Sequence, residues 1–224
     1  MTDLVNRTEF ELTLAGKLGR AFTAQEKILL ALLGDPPDIN KVPPAFWTDM
    51  SAALVAALVP TLNDVYNASA EALSSGLPIG VDWSMVNDGA VRWVSEHAYE
   101  TSKYATSNTR RAVTEAVNRY LTNQQTRGDL VRALTPSFGP NRAESIAVTE
   151  ITRAASEGEQ AIARELSKDG IAMIPYWETR NDEIVSRCPI CWPRHGKPIT
   201  DGKFPPGHIR CRCSTRYELP KVRR

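Results

Sequence analysis

The chain is poor in the residues that most often do chemistry, and it keeps the few it has together. Its 224 residues include four cysteines and three histidines. All four cysteines and two of the histidines fall in one stretch, CPICWPRHGKPITDGKFPPGHIRCRC, from Cys188 to Cys213. Buried structural thiols would be scattered, and disulfides need an oxidising compartment to which nothing in the chain points. There is no Gly-rich phosphate loop, no internal repeat and no low-complexity linker. The longest apolar run, Ala52 to Val59, is far too short to span a bilayer. The opening MTDLVNRTEFELTLAGK has no apolar h-region, which predicts no secretory signal. The expectation is a soluble protein of a reducing compartment, with no membrane partner.

What is present is a set of metal-ligand types at metal-ligand spacing. Cys188 and Cys191 form a C-x-x-C pair; His208, Cys211 and Cys213 form H-x-x-C-x-C after a gap of sixteen residues. Two short chelating turns joined by a loop suit a tetrahedral Zn2+ site of thiolate and imidazole. Five candidates compete for four positions: Cys188, Cys191 and Cys211 are taken as ligands, and the fourth stays open between His208 and Cys213. A site closed entirely by protein is a staple, because catalytic zinc keeps a position for water.

Charge is near balance overall, +1 at pH 7, but unevenly spread. From Arg180 onward there are eleven Lys or Arg against four Asp or Glu, a balance of +7, which leaves −6 before it. A divalent ion with four thiolates would lower that end to about +5. Such a basic end is a solvated surface or a contact for an acidic partner, nucleic acid included.

The first two-thirds reads as helix after helix. Thr23 and Glu26 form a capping box ahead of KILLALL, and Gly34, Pro36 and Pro37 stop that helix. Pro44 opens the next helix, with Phe46, Trp47, Met50, Leu54, Leu58, Leu62 and Val65 on one face and a kink predicted at Pro60. Gly76 and Pro78 end it. A second long helix starts near Asp82 or Ser84 and runs towards Tyr120, with a break near Ser107 and Asn108 and a half-buried His97. Thr126 and Asp129 cap a short helix to Leu134, and Pro136, Phe138, Gly139 and Pro140 mark a turn. Arg142 to Lys168 is a further helix ended by Gly170. Its face of Ile146, Thr149 or Glu150, Arg153, Ala154 and Gly158 is small enough for close packing, and Glu150 and Arg153 can pair as a solvated couple or as a buried anchor against the next strand. Ile171 to Thr179, with Ile174, Tyr176 and Trp177, reads as a strand, and Cys211 to Tyr217 as its partner. The thirty residues between need a device to hold them, and the metal site is that device. The fold expected is mainly α with a small α+β C-terminal module: a helical bundle, a long helix, a short β hairpin or sheet and a zinc-stapled loop.

From about Leu130 to Leu219 these pieces form an ordered series. A short helix precedes a helix holding RAESIAVTEITRA, with Glu150; then come a strand ending in Trp177, Asp182, Cys188-Pro-Ile-Cys191, a turn glycine at Gly196, and Pro205-Pro206-Gly-His208-Ile-Arg-Cys211-Arg-Cys213. In this order they resemble the phage Mu F-like family of minor head (head morphogenesis) proteins, the P-P-x-H-x-x-C-R-C ending being the most specific part. Two positions depart from the family: Val148 stands where its Ala-Arg-Thr-Glu has Arg, and Arg194-His195-Gly196 replaces its Leu-Asp-Gly.

The resemblance implies a phage or prophage structural protein, in the virion at the head interior or portal vertex and in the bacterial host cytoplasm during assembly. It implies the portal protein as partner, then scaffold and major capsid protein, with a non-specific contact to packaged DNA through Arg210, Arg212 and Arg216. It implies no enzyme and no small-molecule substrate. Residues 1–129 would dock portal or scaffold, and residues 130–224 would be the head morphogenesis domain. Two rivals remain. A zinc-supported nuclease would use His195, Asp201 and His208 but needs a strand–strand–helix frame, and after the cysteines and the strand they enter only Leu219 to Arg224 follows. A zinc-ribbon nucleic-acid module would rest on Arg210, Arg212, Arg216, Lys221, Arg223 and Arg224, with few aromatic residues interleaved.

Overall fold

In the computed structural model, which describes residues 4, 6–75, 77, 80–180 and 187–219, the protein is mainly helical and ends in a two-stranded antiparallel sheet with the cysteine cluster beside it. The helices are α1 (Arg7–Leu33), α2 (Pro44–Ser75), α3 (Trp83–Thr122), α4 (Arg127–Phe138) and α5 (Pro140–Lys168); the strands are β1 (Ile174–Glu178) and β2 (Ser214–Glu218). The chain divides into two compact units that interleave in sequence. The first comprises Met1–Glu11, Thr61–Val94 and Ser145–Arg224; the second, Leu12–Pro60 and Ser95–Glu144. The boundary expected at 129/130 falls inside the second unit.

Several helix limits differ from expectation, each for a packing reason. α1 is one helix of 27 residues, and Thr23, predicted as a start, lies exposed within it. Leu14, Leu18, Phe22, Leu29 and Leu33 are buried at helical spacing on both sides of Thr23, and burial of a continuous face outweighs one local cap. α3 runs unbroken for 40 residues, without the break expected at Ser107 and Asn108. Ala105, Thr109, Val113, Ala116 and Val117 carry its buried face straight through, and Thr109 Oγ1 donates within the helix to Ala105 O. α4 keeps its predicted capping box of Thr126 and Asp129 but passes Pro136 to end at Phe138. Its buried Leu130, Leu134 and Phe138 favour the extra turn, and Phe138 packs edge-on against Phe22, centroids 6.5 Å apart.

α2 starts at Pro44 as expected and has Pro60 inside it. It ends at Ser75; Gly76 and Pro78 lie outside the described residues. By length and composition α2 could cross a bilayer, with a mean hydropathy of 1.4 over its most apolar window, yet Met50, Leu54, Leu58, Leu62 and Val65 are buried within the protein. His97 is half-buried, as expected, with Nε2 3.4 Å from Thr101 Oγ1.

In the second unit Arg142 ties three helices. Its guanidinium donates to Thr109 Oγ1 at 2.7 Å and Ala105 O at 2.8 Å in α3, and to Ser137 O at the end of α4. Burial lowers its pKa, and these acceptors satisfy the buried charge. In the first unit Tyr66, Ala70 and Leu73 of α2, Val86 and Ala90 of α3, and Ile162 and Leu166 of α5 form one core. Each such large apolar side chain contributes about 1.5–3 kcal/mol by its burial. Gly170 ends α5 with φ +79°, a left-handed conformation that only glycine adopts freely. The chain then enters β1, which pairs with β2 in the register Ile174↔Glu218, Trp177↔Thr215 and Glu178↔Ser214.

Candidate metal centre

β1 places the first wall of the site. Trp177, its one fully buried residue, is 1% exposed and packs with Cys191, Cys211 and Cys213. The loop after β1 returns to its free edge: Gly196 N donates to Trp177 O (2.8 Å), Trp177 N to Lys197 O (3.0 Å) and Ile199 N to Pro175 O (2.8 Å). Gly196 turns the chain there with φ +68°, so the glycine singled out in the sequence is needed for its backbone. Asp182, singled out with it, lies outside the described residues.

Cys188 and Cys191 form a tight turn in which the Cys191 amide donates to Cys188 Sγ at 3.4 Å. The second half of the cluster is held by α5. Thr152 Oγ1 donates to Cys211 O at 2.6 Å and accepts from Arg7 Nη1 at 2.9 Å. Arg210 N donates to Thr149 Oγ1 at 2.9 Å, and Arg210 Nε to Ser145 Oγ at 2.8 Å. One face of α5 thus fixes the backbone that presents Cys211. Sequence reasoning missed Thr152 and gave Thr149 no role; their three-residue spacing on one face was the available signal.

The five candidate ligands meet in two overlapping triads. Cys188, Cys191 and His208 form one, and Cys191, Cys211 and Cys213 the other, with all ligand atoms within 4.8 Å of one another in each. Cys191 and Cys211 sulfurs are 3.7 Å apart, and Cys188 Sγ is 3.3 Å from His208 Nε2. A zinc tetrahedron with bonds near 2.3 Å to sulfur and 2.0–2.1 Å to nitrogen has edges of about 3.8 Å and 3.6 Å, so both distances are of the right size. His208 Nδ1 is 2.8 Å from Ile209 O. A carbonyl can only accept, so Nδ1 carries the proton and Nε2 turns its lone pair to Cys188.

The electrostatics suit a cation. Hydrogen bonding from the Cys213 thiol, against its burial, brings Cys211 down to about 5, helped by the Cys213 and Gly207 amides. Cys213 is pushed up, first by donating to Cys211 and then by burial. Burial and the Cys211 charge raise Cys191 to about 12. Cys188 is raised by its burial, but the Cys191 and Ile190 amides bring it below its ordinary value. His208 is lowered by burial and raised more by its bond to Ile209 and the Cys211 and Cys188 charges. Cys191 and Cys213 keep their protons because a second thiolate beside that of Cys211 is costly. A divalent ion removes that cost and deprotonates the thiols it binds. The cluster of Cys188, Cys191, Cys211, Cys213 and His208 could hold a metal ion such as zinc.

The remaining singled-out residues do structural work. Glu150 is mostly buried, with Oε2 3.5 Å from Arg153 Nε, while Arg153 is half-exposed. Arg212 forms a forked pair with buried Glu11, 2.9 Å at its shortest. Arg216 bonds Glu178 at 2.9 Å, reaches Glu218, and lies over the Tyr176 ring. The three arginines taken as DNA contacts therefore all bind groups of the fold, Arg210 through Ser145. Glu11 was not foreseen: 201 residues separate it from Arg212, and no local pattern marks such a pair. His195 accepts from Thr179 N (3.3 Å) and stacks on Trp192, centroids 5.7 Å apart. Asp201 binds Arg194 at 2.6 Å. Among the described residues neither joins a group of convergent metal ligands. Compared with protein-family models, curated proteins and solved structures, the chain finds no match.

Proposed function

We propose that this is a phage head morphogenesis protein of the Mu F-like kind, a structural component at the portal vertex that acts in procapsid assembly and not as an enzyme. The observation that carries this reading is the way the ordered motifs close on one another. The α5 helix with Glu150, the strand with Trp177, the turn at Gly196 and the H-x-x-C-R-C return all bear on one cysteine cluster. A site built this way organises a surface.

Within this reading the ion is a structural zinc bound by Cys188, Cys191, His208 and Cys211. The pairs Cys191–Cys211 and Cys188–His208 are two opposite edges of that tetrahedron, and the Cys213 thiol supports Cys211 by hydrogen bonding. Zinc holds the loop that has little regular structure of its own, at a strength of about 10 kcal/mol or more in small modules. The helical segments before the cluster offer the faces for portal, scaffold or major capsid protein. DNA contact, if part of the role, is non-specific and falls to basic groups other than the engaged Arg210, Arg212 and Arg216.

Co-expression with the portal protein encoded beside this chain tests the reading. A complex that elutes as one species is expected. A folded, zinc-loaded chain that elutes alone in the presence of portal, scaffold and capsid proteins would overturn it.

A further inference from the structure

Next to the metal cluster, and separate from its sulfurs, α5, β1 and the loop enclose a cleft of about 610 Å³. Arg153, Glu157 and Gln160 line one side, Trp177 the base, and Arg194 with Lys203 to Gly207 the other. Gly207 brings the loop close over the base: a Cβ there would stand 3.2 Å from Trp177 Cη2. The volume lies within the range of small-molecule sites, which pair apolar walls with a few convergent polar groups.

Its lining carries three cations and one acid, and two of the cations have carboxylate partners, Arg153 in Glu150 and Arg194 in Asp201. The single acid of the wall, Glu157, is already bound by Arg164 at 2.7 Å. Arg194 is ordered from two directions, by Asp201 and by stacking 5.0 Å over the Trp177 ring. Lys203 has no acidic partner among the described residues, although its own amide donates to Asp201. Trp177 Nε1 is buried with no hydrogen-bond acceptor among the described residues, and Arg153 Nε, also buried, has the Glu150 carboxylate at 3.5 Å but no hydrogen bond. Native proteins rarely leave such groups unpaired. Guanidinium and ammonium groups lining one cleft beside an aromatic ring are the chemistry that selects an oxyanion.

We propose that this cleft binds a small organic oxyanion, a carboxylate or a phosphate on a compact apolar body, with Lys203, Arg194 and Arg153 around the anion and Trp177 and Phe204 against the body. The proposal does not depend on the assembly role. Calorimetric titration of the zinc-loaded full chain with phenyl phosphate and with benzoate, at matched ionic strength, tests it, with benzyl alcohol as the neutral control. Saturable binding of either anion and none of the alcohol is expected, the stronger of the two identifying a phosphate or a carboxylate ligand. Lys203→Gln, an exposed substitution away from the sulfurs, should weaken that binding about tenfold with zinc content unchanged. No saturation by either anion, or equal affinity in Lys203→Gln, would overturn the proposal whatever the portal experiment gives.

Discussion

Gly158 of α5 lies directly against the backbone of Tyr66 in α2: a Cβ added to Gly158 would stand 2.2 Å from the Tyr66 carbonyl oxygen. The two helices approach as closely as they do because that position has no side chain. Their shared core, from Tyr66 to Leu166, is the support on which α5 presents Thr149 and Thr152 to the cysteine loop.

Gly158→Ala therefore forces the helices apart. Alanine gains about 1 kcal/mol of helix propensity, but overpacking against backbone costs about 1–3 kcal/mol or more, and the contact here is too short for a side chain to yield. Net destabilisation is expected in urea unfolding, with the midpoint lowered. A midpoint equal to or above that of the unchanged protein would show that the helices part freely.

Glu11 is the buried member of its pair, with a side chain 8% exposed against 37% for Arg212. Arg212→Ala strands that carboxylate, at a cost of about 1–2 kcal/mol after allowance for solvent at the arginine. Adding Glu11→Gln removes the stranded charge, so the double variant should lose less than the sum of the single ones. Chemical denaturation of all four proteins measures the coupling, and strict additivity would mean the forked pair is energetically idle.

One zinc per chain is expected on metal analysis, with three sulfurs and one nitrogen around it by X-ray absorption. Loss of an outer hydrogen-bonding partner lowers metal affinity about 10–100-fold; with the proposed ligands Cys188, Cys191, His208 and Cys211, Cys213→Ser should fall in that class and His208→Ala should weaken binding further. Chelation should expose residues 187–219 to protease while α1 to α4 stay protected. Four-sulfur coordination would exchange the roles of His208 and Cys213.

Much of this was legible from local pattern. Pro44 at a helix start, the Thr126–Asp129 box, the two strands and the C-x-x-C turn all depend on neighbours a few residues apart. The misplaced limits came from signals that are local in form and tertiary in consequence. Thr23 and Glu26 look like a helix start, yet the stripe from Leu14 to Leu33 runs past them; Pro136 looks like a stop, yet Phe138 finds Phe22. Where burial of a long face competes with one cap or one lost hydrogen bond, burial wins.

The sequence alone determined the helical class, the paired strands and the gathering of cysteine and histidine into one chelating stretch, because periodicity and ligand spacing are properties of short segments. Only the tertiary structure decided which groups close on that stretch. Thr152 reaches Cys211 across 59 residues and Glu11 reaches Arg212 across 201, and contacts of that range leave no mark in local pattern. It also decided that Arg210, Arg212 and Arg216 bind groups of the fold: a charge read from a sequence has no partner until the chain brings one to it.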